Sequence, residues 1–294
     1  MSAQQPLPGV AWYNIPDPSS PDLDELATRF HLHELQIEDT RHRPQRAKTD
    51  EYGNYIFSIL KHVHLGKNTV HFDDLDVFLG RDFLITVHKS DCAVIARVQQ
   101  LAQQNQITRL DQIFYRLLDL AVDDYLTMLD RVGEHVGDLE SDVLEHPGPE
   151  ILREIFRLKR KLIEFRRNAA DMREVVNTLV RRERGLIGDD LDPYLRDVYD
   201  HLLRVVDLLE TYRDLLTGSL DIYLSAVANR TNEVMKILTI WGTVALPLVV
   251  ITGFFGMNLP LPWATRPHGT LFAVAVMAAS TMLVLLYFKR KHWF

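Results

Sequence analysis

The chain has 294 residues, 47% hydrophobic and 25% charged, with a formal net charge of −7. That length holds a folded domain with its own core, and the acidity suits cations and argues against nucleic acid as the main partner, although many solvated surfaces are equally acidic. The single cysteine, Cys92, excludes an intramolecular disulfide and any CxxC metal or redox site.

The opening Met1-Ser-Ala-Gln-Gln has no basic region followed by an apolar stretch, so no signal peptide is expected and the N-terminal part is expected to stay in the cytoplasm. Residues 1–105 read as a small α/β unit. Tyr55 to Val63 and Leu75 to Gly80 are strand-like, and the latter meets Asp82 to His88 across Gly80-Arg81, a hairpin signal. His62 and His64 share a strand face, with His71 and His88 nearby. They invite a zinc reading, but without cysteine support or a clear third ligand, surface or packing histidines are the plainer one.

Residues 106–190 read as a helical hairpin. Gln112 to Glu145 is rich in acids, Pro147-Gly148-Pro149 breaks it, and Ile151 to Arg167 is rich in Lys and Arg. Charge complementarity is expected to pair the two helices. After a break at Gly188 to Pro193, Leu195, Val198, Leu202, Val205, Leu209, Tyr212, Leu216, Leu220, Tyr223 and Val227 recur by threes and fours. That near-3.5 period marks a stalk helix, residues 191–236, whose face seeks a partner helix. With no proline before Pro247, the simplest reading is one continuous helix from about Tyr194 to Phe255, roughly 90 Å long at 1.5 Å per residue. A chain of this size cannot bury it alone, which suggests a homo-oligomeric stalk.

Ile237 to Phe255 and Leu271 to Phe288 contain no charged residue. About 20 apolar residues are what a helix needs to cross roughly 30 Å of hydrocarbon. The reading is therefore a first transmembrane helix over 237–258, an extracytoplasmic loop over 259–269, a second transmembrane helix over 270–289 and a basic tail over 290–294. Arg230 and Lys236 precede the hairpin, and Lys289, Arg290 and Lys291 follow it. The loop carries only Arg266 and His268. This asymmetry places both termini in the cytoplasm, and Trp241, Trp263, Tyr287 and Trp293 sit where amphipathic rings favour the interface. The apolar stripe continues through Met235, Leu238, Gly242, Leu246, Val249 and Gly253 towards Asn258. A ring of such helices would line a narrow pore, while from periodicity alone the same residues are ordinary packing positions. No P-loop, GxSxG or HExxH is present. No nucleotide site and no enzyme are expected, so transport would run down the electrochemical gradient.

Thr231-Asn-Glu-Val-Met-Lys-Ile-Leu-Thr-Ile, then Leu246-Pro-Leu-Val-Val-Ile-Thr-Gly-Phe-Phe-Gly-Met-Asn, and the end Tyr287-Phe-Lys-Arg-Lys-His-Trp-Phe closely resemble the CorA family of magnesium channels. The resemblance extends through Pro193-Tyr-Leu-Arg-Asp-Val-Tyr-Asp-His, Leu120-Ala-Val-Asp-Asp-Tyr and Ile37-Glu-Asp-Thr-Arg-His-Arg-Pro-Gln, nearly the whole chain. A lone GMN is weak; at the end of the first of two C-terminal spans it is strong.

The resemblance implies an α+β cytoplasmic domain, a long stalk helix and a two-helix membrane hairpin, assembled as a homopentamer in the inner (plasma) membrane. Gly256, Met257 and Asn258 would form the selectivity filter, with neutral oxygens accepting hydrogen bonds from hydrated Mg²⁺, an ion that dehydrates reluctantly. Asp39 and Asp197 fall where the family places an intracellular divalent site between subunits, and Asp221 also matches an acidic position. Filled, that site would close the pore, with Met235, Leu238 and Leu246 as its dewetting constriction. Two departures bear on ion preference: the loop Leu259-Pro-Leu-Pro-Trp-Ala-Thr-Arg-Pro-His has no carboxylate, and Val249 replaces a threonine common in the family. A Zn²⁺, Co²⁺ or Ni²⁺ transporter of the same superfamily, coupled to protons or not, and a non-transporting membrane-tethered scaffold are the alternatives.

Overall fold

The computed structural model of the chain describes residues 9–65, 70–89, 91–105, 107–182, 185–257 and 268–291. Asn258, Trp263, Arg266 and Trp293 lie outside the described residues. The chain divides into two compact units, residues 1–220 and 221–294.

The first unit is built on a five-stranded sheet ordered β1-β5-β4-β3-β2. Its strands are β1 (Trp12–Ile15), β2 (Lys48–Tyr52), β3 (Tyr55–Leu65), β4 (Val70–Gly80) and β5 (Leu84–His88). β1 pairs parallel with β5, and the other neighbours are antiparallel. The hairpin expected at Gly80-Arg81 is present, but β5 starts at Leu84, because the Gly80 N–H closes the turn on the Phe83 carbonyl at 2.9 Å. A Cβ at Gly80 would lie 2.2 Å from the Phe83 ring, so the turn requires glycine there. β4 begins at Val70, five residues earlier than its apolar run suggests. Its acids are accommodated by buried partners: Asp74 pairs with Lys61, and Asp76 with Arg43 at 2.7 Å.

Helix α1 (Pro21–Phe30) starts on Ser20, whose hydroxyl accepts from the Asp22 N–H, and has Pro21 in its first turn. Helix α2 (Glu34–Arg41) follows and is tied to α1 by Arg41–Asp24 at 2.7 Å. Leu23, Leu26 and Ile37 of these helices pack on Phe57, Ile59, Phe78 and Ile85 of the sheet. Helix α3 (Ala93–Gln104) leads into α4 (Leu110–Glu145) and α5 (Pro149–Arg181).

Charge does not pair α4 with α5. Among the described residues only His135–Glu154, at 3.3 Å, joins them. Arg153, Arg157 and Lys161 of α5 find acids one turn away on their own helix, at Glu150, Glu154 and Glu164, and Arg166 reaches Glu210 on α6 at 2.6 Å. The i,i+3 neighbour is simply closer than the other helix, and apolar contacts such as the Tyr125 ring edge-on to Phe165, centroids 5.4 Å apart, join α4 to α5.

A 3₁₀ turn (Asp189–Leu191) precedes α6 (Asp192–Phe255), a single helix of 64 residues that includes Pro247. In the first unit its Leu195, Val198, Leu202 and Val205 are fully buried. The second unit contains the C-terminal part of α6 and α7 (Gly269–Arg290). Both are long and apolar enough to cross a membrane, and their apolar side chains are largely exposed. That distribution is wrong for water and right for lipid or partner helices.

Candidate ion pathway and its acidic neighbours

The second unit orients α6. Leu248 lines a shallow apolar groove with Val274, Met277, Ala278 and Thr281 of α7, and Phe255 meets Phe272 edge-on with ring centroids 6.4 Å apart. With 3.6 residues per turn, Leu248 and Phe255 share the side of α6 that faces α7, while Leu246 and Gly253 lie roughly 140–160° round from it. Met235, Leu238, Leu246 and Val249 are 57–66% exposed. Gly242 and Gly253 have nothing within 4 Å of where a Cβ would stand. Of the other stripe residues, Met235 lies roughly 140° and Gly242 about 120° round, while Leu238 and Val249 lie to the side at about 80–100°; the stripe is thus a bare surface mostly turned away from α7, broken by two glycines that permit close helix approach.

Two threonine hydroxyls of this stretch bond back within their own helix. The Thr239 hydroxyl donates to the Met235 carbonyl at 2.8 Å, and that of Thr252 to the carbonyls of Leu248 and Val249 at 2.8 and 3.0 Å. Beyond Phe255 the chain stays wound. The Gly256 N–H reaches the Thr252 carbonyl at 2.9 Å, and the Met257 N–H the Phe254 carbonyl at 3.4 Å. A Cβ on Gly256 would approach the Thr252 carbonyl oxygen to 2.9 Å, so the turn that leads to Asn258 has no room for a side chain at 256.

Asp39, on α2, is ion-paired within the chain. Lys48 Nζ lies 2.7 Å from its Oδ2 and 3.3 Å from Asp50. Burial works to lower the Lys48 pKa, but the hydrogen bond it donates to Asp39 and the charge of Asp50 outweigh it and hold the ammonium above its usual range. Asp197, on the first turns of α6, is open, with its side chain 67% exposed, and among the described residues its one ion-pair contact is His201 at 3.9 Å. Asp221 is exposed, and its carbonyl accepts the Ser225 hydroxyl at 2.9 Å. Asp39 and Asp197 have separate partners, and among the described residues no three His, Cys, Asp or Glu side chains are grouped to hold a metal ion, the strand histidines included. Carboxylate oxygens suit a hard divalent ion, but one copy offers each aspartate singly.

Sequence reading missed the groups around Asp197. His201 stands 3.9 Å from both Asp197 and Asp123. Burial, then the charge of Asp123, raises the pKa of Asp119; burial, then Asp119, raises that of Tyr115. The i,i+4 spacings Asp119/Asp123 and Asp197/His201 are the signal that would have found them.

The family model for CorA-like Mg²⁺ transporter proteins matches residues 8–290. The cobalt/magnesium transport protein CorA of Thermotoga maritima is 35% identical, over 96% of this chain and 83% of that protein. The putative metal ion transporter YfjQ of Bacillus subtilis is 30% identical, over 98% and 91%. The complete structure of the CorA magnesium transporter from Methanocaldococcus jannaschii superposes with a TM-score of 0.87 at 24% identity, covering 96% of this chain and 91% of that one.

Proposed function

The chain belongs to the CorA family of Mg²⁺ transporters, and from that membership we propose that it carries hydrated Mg²⁺ into the cell, down its electrochemical gradient, through a homopentameric pore. The observation that carries this reading is the bare stripe of α6, mostly turned away from α7 and leading in sequence to Gly256-Met257-Asn258. Such a surface suits an inner ring of α6 helices with α7 outside. At the outer end of the ring, the Gly256 carbonyls and Asn258 amides would meet the ion's water shell. Neutral acceptors hold a hydrated ion firmly enough to select it and loosely enough to release it. A negative cell interior favours entry by about 2.3 kcal/mol per charge per 100 mV. Both termini would lie in the cytoplasm of an inner-membrane protein.

For regulation we place internal Mg²⁺ between Asp39 of one copy and Asp197 of the next, with Asp221 lower on the stalk as a further acidic position. An ion bound there would favour the closed ring, and its loss would leave facing carboxylates to repel. Met235, Leu238 and Leu246 would form the dewetting constriction. The Thermotoga maritima relative is a cobalt/magnesium transport protein, and the loop after Asn258 carries no carboxylate to concentrate a particular cation. These two facts favour a second reading in which Co²⁺ or another transition ion is also carried.

The test is influx into voltage-clamped proteoliposomes that contain a divalent-sensitive dye, for Mg²⁺, Co²⁺, Ni²⁺ and Zn²⁺, with and without a pH gradient. Mg²⁺ entry that requires Asn258, is lost in Asn258→Ala and ignores the pH gradient is the expected result. Zn²⁺ entry that follows the pH gradient, with little Mg²⁺ flux, would move the chain to a proton-coupled transporter. No flux of any ion through folded, oligomeric protein, with internal divalent ions chelated, would leave a tethered scaffold.

A further inference from the structure

Between α4 and α5 lies a feature that ion conduction does not use. Met128 and Val132 of α4 and Leu158, Leu162 and Phe165 of α5 are each at most 9% exposed, yet they line a cleft of about 340 Å³ instead of closing on one another. That volume is at the lower end of small-molecule sites, which are typically apolar with a few charged groups at one end. Polar side chains at its mouth include Arg131 and His135 from α4 and Arg157 and Lys161 from α5, and an adjoining groove that shares Arg131, His135 and Glu154 adds Glu134, Asp138, Asp142 and Glu150.

Glu154, the one carboxylate among the lining residues, shows what this mouth accepts. Its Oε1 lies 3.0 Å from Arg157 Nη2 and 3.3 Å from His135 Nε2, so a carboxylate already bridges the helices across the opening. Lys161 is held at 2.9 Å by Glu164. Arg131 has no ion-pair partner among the described residues. An arginine fork matches a carboxylate in plane and spacing. An apolar floor next to an unmatched arginine calls for a ligand with both features in one molecule.

We propose that this cleft binds an amphiphilic carboxylate, a free single-chain acid of medium length, with its hydrocarbon on the Val132–Phe165 floor and its head on Arg131. A two-tailed lipid is too large for about 340 Å³, and a neutral hydrocarbon would leave Arg131 unused. The site stands apart from the ion pathway and does not depend on the transport reading.

The experiment is equilibrium dialysis of radiolabelled octanoate against the full chain in lipid nanodiscs, with uptake by empty nanodiscs subtracted and octanol as neutral competitor. One saturable site per chain is expected, with octanol competing at least tenfold less well. Arg131→Gln, an exposed change that leaves the fold intact, should weaken binding about tenfold, the scale of a lost charge-assisted hydrogen bond. Val132→Phe and Leu158→Phe, which fill the cleft from opposite helices, should each remove the saturable component. Thermal unfolding of each variant identifies protein that has failed to fold. Uptake no greater than that of empty nanodiscs, equal competition by octanol and octanoate, or undiminished binding in Arg131→Gln would overturn the proposal.

Discussion

Removing the charge of Lys48 should make the transporter close at lower internal Mg²⁺. Lys48 Nζ sits 2.7 Å from Asp39 Oδ2, so an ion on the other side of that carboxylate, bound at about 2.1 Å, would lie roughly 5 Å from the ammonium. Both side chains are partly solvated, 40% and 30% exposed, and a water-like dielectric applies. A double charge facing a single one at that distance repels by about 1.7 kcal/mol, which physiological salt reduces to about 1 kcal/mol. Lys48→Gln, which keeps a hydrogen-bond donor, should therefore tighten the site roughly fivefold. Asp50→Asn removes the competing carboxylate 3.3 Å from Lys48, leaves the ammonium more fully on Asp39, and should act in the opposite direction. The assay is Mg²⁺ influx into proteoliposomes loaded with graded internal Mg²⁺, read as the concentration that halves the flux. The shift should shrink as ionic strength rises. An unchanged or raised midpoint in Lys48→Gln, in protein that still conducts, would refute Asp39 as a ligand.

Two further substitutions read the structure elsewhere. Gly256→Ala places a Cβ 2.9 Å from the Thr252 carbonyl oxygen and should cut Mg²⁺ flux at least tenfold while leaving the oligomer intact by native mass measurement. Gly253→Ala meets nothing within 4 Å in a single chain, so a loss of oligomer or flux there would locate a neighbouring helix, and wild-type behaviour would remove Gly253 from the contact. His62 is 3% exposed, and burial, opposed by the charge of Asp73, lowers its pKa to about 4. A folded-state pKa below the unfolded value of about 6.5 means that the unfolded chain binds the proton more tightly. This contribution to stability is complete above pH 6.5 and falls by about 1.4 kcal/mol per pH unit as pH drops towards 4. His62→Gln should flatten the fall in unfolding temperature between pH 7 and pH 5, and an unaltered slope would assign that fall to other groups.

The parts of this fold legible in the sequence are those in which one helix or hairpin carries its own pattern. The recurring Leu and Val from Leu195 to Leu216 disclose α6, and two uncharged segments disclose the membrane helices. β1 and β2 escaped notice because they are edge strands of four and five residues. What makes β1 a strand is Leu84 to Val87 on β5, far along the chain. The buried pairs Arg43–Asp76 and Lys61–Asp74 were invisible for the same reason. A lone Asp in a polar stretch reads as solvated until the fold supplies its cation. Such pairs stabilise little compared with an apolar substitute, but either half alone would be costly. The charge blocks of α4 and α5 misled because Arg153, Arg157 and Lys161 pair with acids on their own helix and Arg166 pairs with α6. Lys48 on Asp39 could not be anticipated from a nine-residue separation across a helix end and a strand start.

The two incomplete features of the single chain have one remedy. The α6 stripe lacks a covering surface, and Asp39 and Asp197 lack each other; further copies of the chain would supply both. The same helix carries Asp197 near its start and Val249 near its end, so an ion that fixes one end of α6 against a neighbour biases how the other end packs. Moving a two-state equilibrium from 1:99 to 99:1 takes roughly a 10⁴-fold difference in affinity, about 5.5 kcal/mol. Spread over the five equivalent sites of the proposed pentamer, that is about 1.1 kcal/mol per site, close to the Lys48 repulsion derived above. If the ion is held at Asp39 only when the neighbouring Asp197 also reaches it, as proposed, the repulsion would act on the closed state and not on the open one. In the proposed ring, a single lysine at that position would then be enough to shift the internal Mg²⁺ level at which the pore shuts.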